Sequence, residues 1–155
     1  MEVIICSDEQ AVGRIAADRI AKVLGRAKAP VLGVATGSTP LTTYSSLAAL
    51  AAEGKADFTD LRAFALDEYI GLPADDERSY AATIRHTVTE QLGLDPANGP
   101  TPDGMADDLD AACAAYETAI QEADGVDVQI LGIGANGHIG FNEPTSSLSS
   151  RTRVK

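Results

Sequence analysis

At 155 residues the chain is long enough for one domain with a real core, and 45% hydrophobic with 23% charged residues is ordinary for a soluble globular protein. The formal net charge of −11 speaks against non-specific nucleic-acid binding and against docking on anionic membranes, while a local site can still take a small anion. No apolar run approaches the roughly 20 residues of a bilayer span, and the acidic N-terminus is too short for a secretory signal.

In chain order, Val3 to Cys6 reads as a short buried strand, followed by Ser7 as cap of a helix with Gln10 in capping-box position. Val12, Ile15, Ala16, Ile20, Val23 and Leu24 recur at helical spacing and predict its buried face. Val31 to Ala35 is the second strand; Thr36-Gly-Ser-Thr39 is a turn, with Pro40 opening a helix that carries Leu41, Tyr44, Leu47, Ala48 and Ala51. Leu61 to Leu66 is a third strand, leading into Asp67-Glu-Tyr-Ile-Gly-Leu-Pro73. A helix from about Ser79 turns Tyr80, Ile84, Val88 and Leu92 inward, and a Pro- and Gly-rich connection from Pro96 to Gly104 follows. Asp107 to Glu122 is the next helix, built on Leu109, Ala112, Cys113, Tyr116 and Ile120, and Val126 to Leu131 is the last strand. Apolar strands alternating with helices predict a single α/β domain, residues 1 to 155, with a parallel sheet covered on both faces. Cys6 and Cys113 lack CxxC spacing and are expected to be buried reduced thiols in a cytoplasmic protein.

Three loops carry chemistry, and each follows a predicted parallel strand, so all three should open on one edge of the sheet. In the first, the amides of Gly37, Ser38 and Thr39 can converge on an anion at a helix N-terminus beside the Thr36 hydroxyl. The same residues also make an ordinary capped helix start, with Thr39 as cap. In the second, Asp67 and Glu68 are adjacent acids pointing in different directions, so one can enter the cleft as a base while the other orients something or faces solvent. The third is Leu131-Gly-Ile-Gly-Ala-Asn-Gly-His-Ile-Gly-Phe-Asn-Glu-Pro144. It satisfies G-x-G-x-x-G after a strand, but Gly140 and Pro144 break the helix that a dinucleotide site requires. His138, with Asn136 and Glu143 in reach, fits an oriented acid/base imidazole, a turn histidine bonded to backbone being the alternative. Together the loops suit proton shuffling on a phosphorylated small molecule with a masked carbonyl. His86 falls on an exposed helix position, no cluster has metal spacing, and no metal or other cofactor is expected.

Leu32-Gly-Val-Ala-Thr-Gly-Ser-Thr-Pro40, Leu66-Asp-Glu-Tyr-Ile-Gly-Leu72 and the His138 motif resemble the glucosamine-6-phosphate deaminases, in the correct order along nearly the whole chain. The related 6-phosphogluconolactonases share the fold and a similar glycine loop, but are expected to carry Asp-Glu-Arg where Asp67-Glu-Tyr69 stands. The resemblance implies a Rossmann-like three-layer sandwich, truncated at the C-terminus relative to the family. It implies ring opening of glucosamine 6-phosphate, aldose–ketose isomerisation and release of ammonia to leave fructose 6-phosphate. Asp67 would move a proton between C2 and C1, and His138 would act at the ring oxygen with Asn136 and Glu143 orienting it. Thr36, Gly37, Ser38 and Thr39 would hold the phosphate. Ser146, Arg153 and Lys155 match positions that bind N-acetylglucosamine 6-phosphate between subunits in allosteric hexameric members. The implied partners are a sugar phosphate and, for the full-length protein, further copies of itself. The alternatives are a non-catalytic sugar-phosphate-binding or oligomerisation fragment and a lactonase-like hydrolase.

Overall fold

The computed structural model describes residues 1–147 and 149–155. Its centre is β1 (Val31–Val34), buried at every position because both of its faces and both of its edges are covered. It pairs in parallel with β2 (Arg62–Ala65) on one side, Leu32 opposite Ala63, and with β3 (Val128–Gln129) on the other, Leu32 opposite Val128. The sheet order is therefore β2-β1-β3.

On one face, α1 (Glu9–Leu24), α2 (Leu41–Ala52) and a helical stretch of three segments bury Ile20, Leu47, Ile84 and Val88 against Leu32, Val34, Ala63 and Ala65. That stretch runs through α3 (Tyr80–Ile84), a π-helical turn (Arg85–Thr89) and α4 (Glu90–Leu92), ending at Gly93 in the left-handed region. On the other face α5 (Leu109–Glu122) lays Tyr116 against Val31 and Phe64, the two rings meeting edge to face. Helices on both faces of a parallel sheet make the three layers foreseen. Among the described residues no helix is long and apolar enough to cross a membrane.

Several local expectations are corrected. Val3 to Cys6 forms no strand: Val3 and Ile5 stand 74% and 93% exposed, since an apolar run needs a hydrogen-bonding neighbour and none of the three strands takes it. Asp8, not Ser7, caps α1, accepting from the Ala11 N–H, while the Ser7 hydroxyl donates to Asp8. The buried face of α1 is Gly13, Ala17, Ile20 and Leu24, with Val12, Ile15 and Val23 turned outward. The cause is the approach of α2: a Cβ on Gly13 would come within 2.6 Å of the Thr42 backbone, so the smallest residues of α1 mark its contact face. No side chain caps α2, whose N-cap position is Pro40 rather than Thr39. The last strand is shorter than residues 126 to 131, and both free cysteines are half-buried rather than buried.

Candidate functional site

All three strands end on one edge, and the chain leaving each contributes a wall of one cleft of about 350 Å³. Ala35, Thr36 and Gly37 come from the end of β1, Leu66 and Asp67 from β2, and Gly132 to Gly134, His138, Gly140 and Phe141 from beyond β3. Tyr80, in the first turn of α3, closes the side next to Asp67.

The β1 wall is set from beneath by Tyr44, whose buried hydroxyl donates to the Ala35 C=O at 2.7 Å and accepts from the Ala35 N–H at 3.0 Å. Burial pushes this phenol up to about 12, against the Ala35 hydrogen bond, so it remains a donor at neutral pH. Gly37 then turns with φ +101, which glycine adopts without a steric penalty. Among the described residues the N–H groups of Gly37, Ser38 and Thr39 have no acceptor in the chain, and they precede the N-terminus of α2. Ser38 and Thr39 are exposed and lie outside the cleft lining, whereas Thr36 and Gly37 are part of it.

Asp67 is half-buried, and among the described residues no group donates to its carboxylate. Burial first, and the neighbouring Glu68 charge second, push it up to about 6. Glu68 turns away and accepts from three backbone amides: Tyr69 at 2.8 Å, Tyr80 at 3.0 Å and Ala81 at 2.7 Å. The Tyr80 hydroxyl donates to the Tyr69 hydroxyl at 2.9 Å. Burial raises the Tyr80 phenol, as do the bond to Tyr69 and the charge of Asp67, while the Thr36 hydroxyl works in the opposite sense. Periodicity alone assigned Tyr80 to a helix face packed inward. Its place immediately after the Ser79 cap is the signal that could have put it at the sheet edge.

The third wall is a small hairpin. Ile133 bridges Ile139, the Gly134 N–H donates to the His138 C=O at 2.8 Å, and Gly137 turns with φ +86. At its tip the Asn136 Nδ2 donates to Glu143 at 2.8 Å, and the Asn136 Oδ1 accepts from the His138 N–H at 3.1 Å and meets the His138 Nδ1 at 2.6 Å. A carboxylate only accepts, so Glu143 fixes which end of the Asn136 amide faces the imidazole. An amide oxygen only accepts too, so Nδ1 carries the ring proton and Nε2 of a neutral imidazole is left as acceptor. A Cβ on Gly134 would fall among the atoms of this ring, so only glycine lets the imidazole lie where it does. A Cβ on Gly140, which has φ +57, would come within 3.0 Å of the Leu66 side chain, so this wall lies close to the residue before Asp67.

Ser146, Arg153 and Lys155 are not in the cleft lining. Ser146 donates its N–H to the Glu143 C=O, Arg153 donates to the Asn142 side chain at 3.1 Å, and Lys155 is exposed. His86 is exposed between Glu77 and Glu90, away from the cleft lining. Among the described residues no three His, Cys, Asp or Glu side chains gather as a metal site would need.

Residues 7–145 match the family described as glucosamine-6-phosphate isomerases/6-phosphogluconolactonase. A Cutibacterium acnes protein named glucosamine-6-phosphate deaminase is 99% identical over all 155 residues, which are 59% of its own length. One of the same name from Streptomyces coelicolor is 52% identical over 155 residues, again 59% of its length. The chain thus spans about 60% of the length of the curated relatives it matches. Among solved structures, one described as a monomeric glucosamine-6-phosphate deaminase superposes with a TM-score of 0.91 at 39% identity, over 97% of this chain and 63% of that one. A 6-phosphogluconolactonase from Thermotoga maritima gives 0.72 at 24% identity, over 90% and 62%, a likeness of fold alone.

Proposed function

The chain belongs to the glucosamine-6-phosphate isomerase/6-phosphogluconolactonase family, and on that premise we propose that its cleft serves the deaminase reaction: glucosamine 6-phosphate and water to fructose 6-phosphate and ammonia, a step of amino-sugar breakdown. The observation that carries the reading is the pairing of Asp67, half-buried and, among the described residues, without a donor, with a His138 whose Nδ1 proton is committed to Asn136, both on one cleft. The identity with relatives named as deaminases, against 24% with the Thermotoga maritima lactonase, supports this branch of the family.

In this reading the amides of Gly37, Ser38 and Thr39, which have no acceptor among the described residues, hold the phosphate at the start of α2, with the Thr36 hydroxyl beside it. Neutral His138 Nε2 accepts the proton of the anomeric hydroxyl and returns it to the ring oxygen as the C1–O5 bond breaks. Asp67 then takes the proton from C2. The electron pair left behind forms the C1–C2 double bond as the C1 carbonyl pair moves onto O1, which takes a proton from water to complete the enol. Asp67 then returns its proton to C1 while the nitrogen lone pair forms the C2–N double bond, and the nitrogen gives a proton back to water. The imine that results at C2 is hydrolysed by water, releasing ammonia and leaving the ketone. An acid raised to about 6 suits this duty, being ionised at neutral pH yet basic enough to share a carbon-bound proton.

Ammonia release from glucosamine 6-phosphate, measured beside proton release from 6-phosphogluconolactone, tests the proposal. Ammonia from the amino sugar, lost in Asp67→Asn, is the expected result. Lactone hydrolysis without ammonia would move the chain to the other branch of its family. Binding of the sugar phosphate with neither reaction would make it a non-catalytic binding fragment.

A further inference from the structure

We propose that Glu68 is a positioning residue of this cleft: its carboxylate fastens the loop that carries Asp67 to the first turn of the helix that carries Tyr80, so that carboxylate and phenol hold one spacing. The inference rests on reading Asp67 as the reacting base and names a residue that acts through it.

The geometry is a closed ring. One oxygen of Glu68, Oε1, receives the amides of both Tyr69 and Tyr80, at 2.8 and 3.0 Å, while Oε2 receives Ala81 at 2.7 Å. At the far end the same two tyrosines meet again, hydroxyl to hydroxyl at 2.9 Å, with ring centroids 4.6 Å apart. The tyrosine pair is therefore tied at its backbone and at its tip. The first turn of α3 leaves its leading amides without partners inside the helix, and its own cap serves only one of them. Ser79 caps it by accepting from the Ala82 N–H at 2.9 Å, which leaves the Tyr80 and Ala81 amides to a second acceptor. Here the second acceptor comes from a residue 12 positions earlier, next in the chain to Asp67.

The consequence reaches Asp67 in two ways. A loop pinned by three amides fixes the direction in which the preceding side chain leaves the backbone. The Glu68 charge also stands beside Asp67 and, after burial, is the second cause of its raised pKa. The other titratable groups facing Asp67 are the Tyr80 phenol from α3, the Tyr116 phenol from α5 and, across the cleft, His138. Tyr116 itself is tied down, donating to the Ala65 C=O at 2.6 Å and to the Pro100 C=O at 3.2 Å. Among the described residues Glu68 is thus the carboxylate whose removal should let Asp67 ionise more readily.

The test uses the full chain and needs no turnover. Asp67 is titrated by carbon-13 carboxyl NMR, and amide exchange is followed at Tyr80 and Ala81, in the native protein, Glu68→Gln and Glu68→Ala. Glu68→Gln keeps the length and one acceptor oxygen, so it preserves the fold while removing the charge. The Asp67 midpoint should move down toward the ordinary carboxylate range in both variants. Exchange at Tyr80 and Ala81 should speed by roughly tenfold or more in Glu68→Ala, with an intermediate value for Glu68→Gln. An Asp67 midpoint that stays at its native value in folded Glu68→Gln overturns the proposal, as does unchanged exchange at both amides in either variant. Because neither readout involves ammonia, an absence of deaminase activity leaves this result standing, and an unmoved midpoint leaves the deaminase reading standing.

Discussion

Asp67 and His138 face one cleft from walls of unlike construction. The Asp67 wall sits on the buried end of β2, with Phe64 and Ala65 in the core and, among the described residues, no donor to its own carboxylate. The His138 wall is an exposed hairpin whose imidazole is aimed by a chain of side chains, Glu143 to Asn136 to His138. The first gains basicity from what surrounds it, and the second gains direction from what it is bonded to. Perturbing the first should therefore change stability and pH dependence together, whereas perturbing the second should change geometry and leave the fold almost untouched.

The largest effect that sharpens this contrast is expected from Asp67→Asn. Loss of the general base should lower ammonia release by at least about 10²-fold. The same substitution should stabilise the fold above pH 6. The folded Asp67 is raised from 3.8 to about 6, so ionising it disfavours the native state. Stability is full below the ordinary carboxylate value and falls as pH rises through the folded value. The variant should lose that decline, and urea unfolding at pH 4 and pH 8 measures it. Solvent reaches part of this side chain, so the gain is smaller than the pKa displacement alone implies.

On the other wall, Gly134→Ala should displace the imidazole, because the added methyl would occupy the position of its ring. A catalytic group moved by about 1 Å costs on the order of 10²-fold in rate. The melting temperature should scarcely change, since Gly134 lies in an exposed hairpin; a large fall in stability would break the comparison. Smaller still is the effect of Tyr44→Phe beneath the β1 wall. It strips the Ala35 N–H and C=O of their shared buried partner, at a cost of about 1–3 kcal/mol seen in denaturant unfolding.

The same contrast explains what the sequence shows and what it conceals. Val31 to Val34 and Arg62 to Ala65 announce themselves because strands buried on both faces are apolar over most of their length, Arg62 alone being charged. Val3 to Cys6 has the same composition and forms no strand, because pairing depends on an open neighbour, which composition does not record. On α1 Ile20 and Leu24 face inward as their spacing suggests, but Val12, Ile15 and Val23 turn outward, and the close approach of α2 is marked by Gly13. Thr36, Gly37, Asp67 and His138, chosen as strand-end residues, do line one cleft, while Ser38 and Thr39 stand outside it. Tyr80, the Glu68 clamp and the Tyr44 hydroxyl were illegible for a common reason. Each depends on a side chain meeting backbone or cleft across a fold that periodicity does not describe.

The most direct measurement of the central claim is the reaction run in deuterium oxide, with product fructose 6-phosphate read by proton NMR for the native chain and for Asp67→Asn. If Asp67 carries the proton from C2 to C1 in a cleft open to water, the native chain should place deuterium at C1 and Asp67→Asn should form no product. Product from Asp67→Asn with deuterium still entering at C1 would show that another group performs the transfer, and the assignment of the two walls would be wrong.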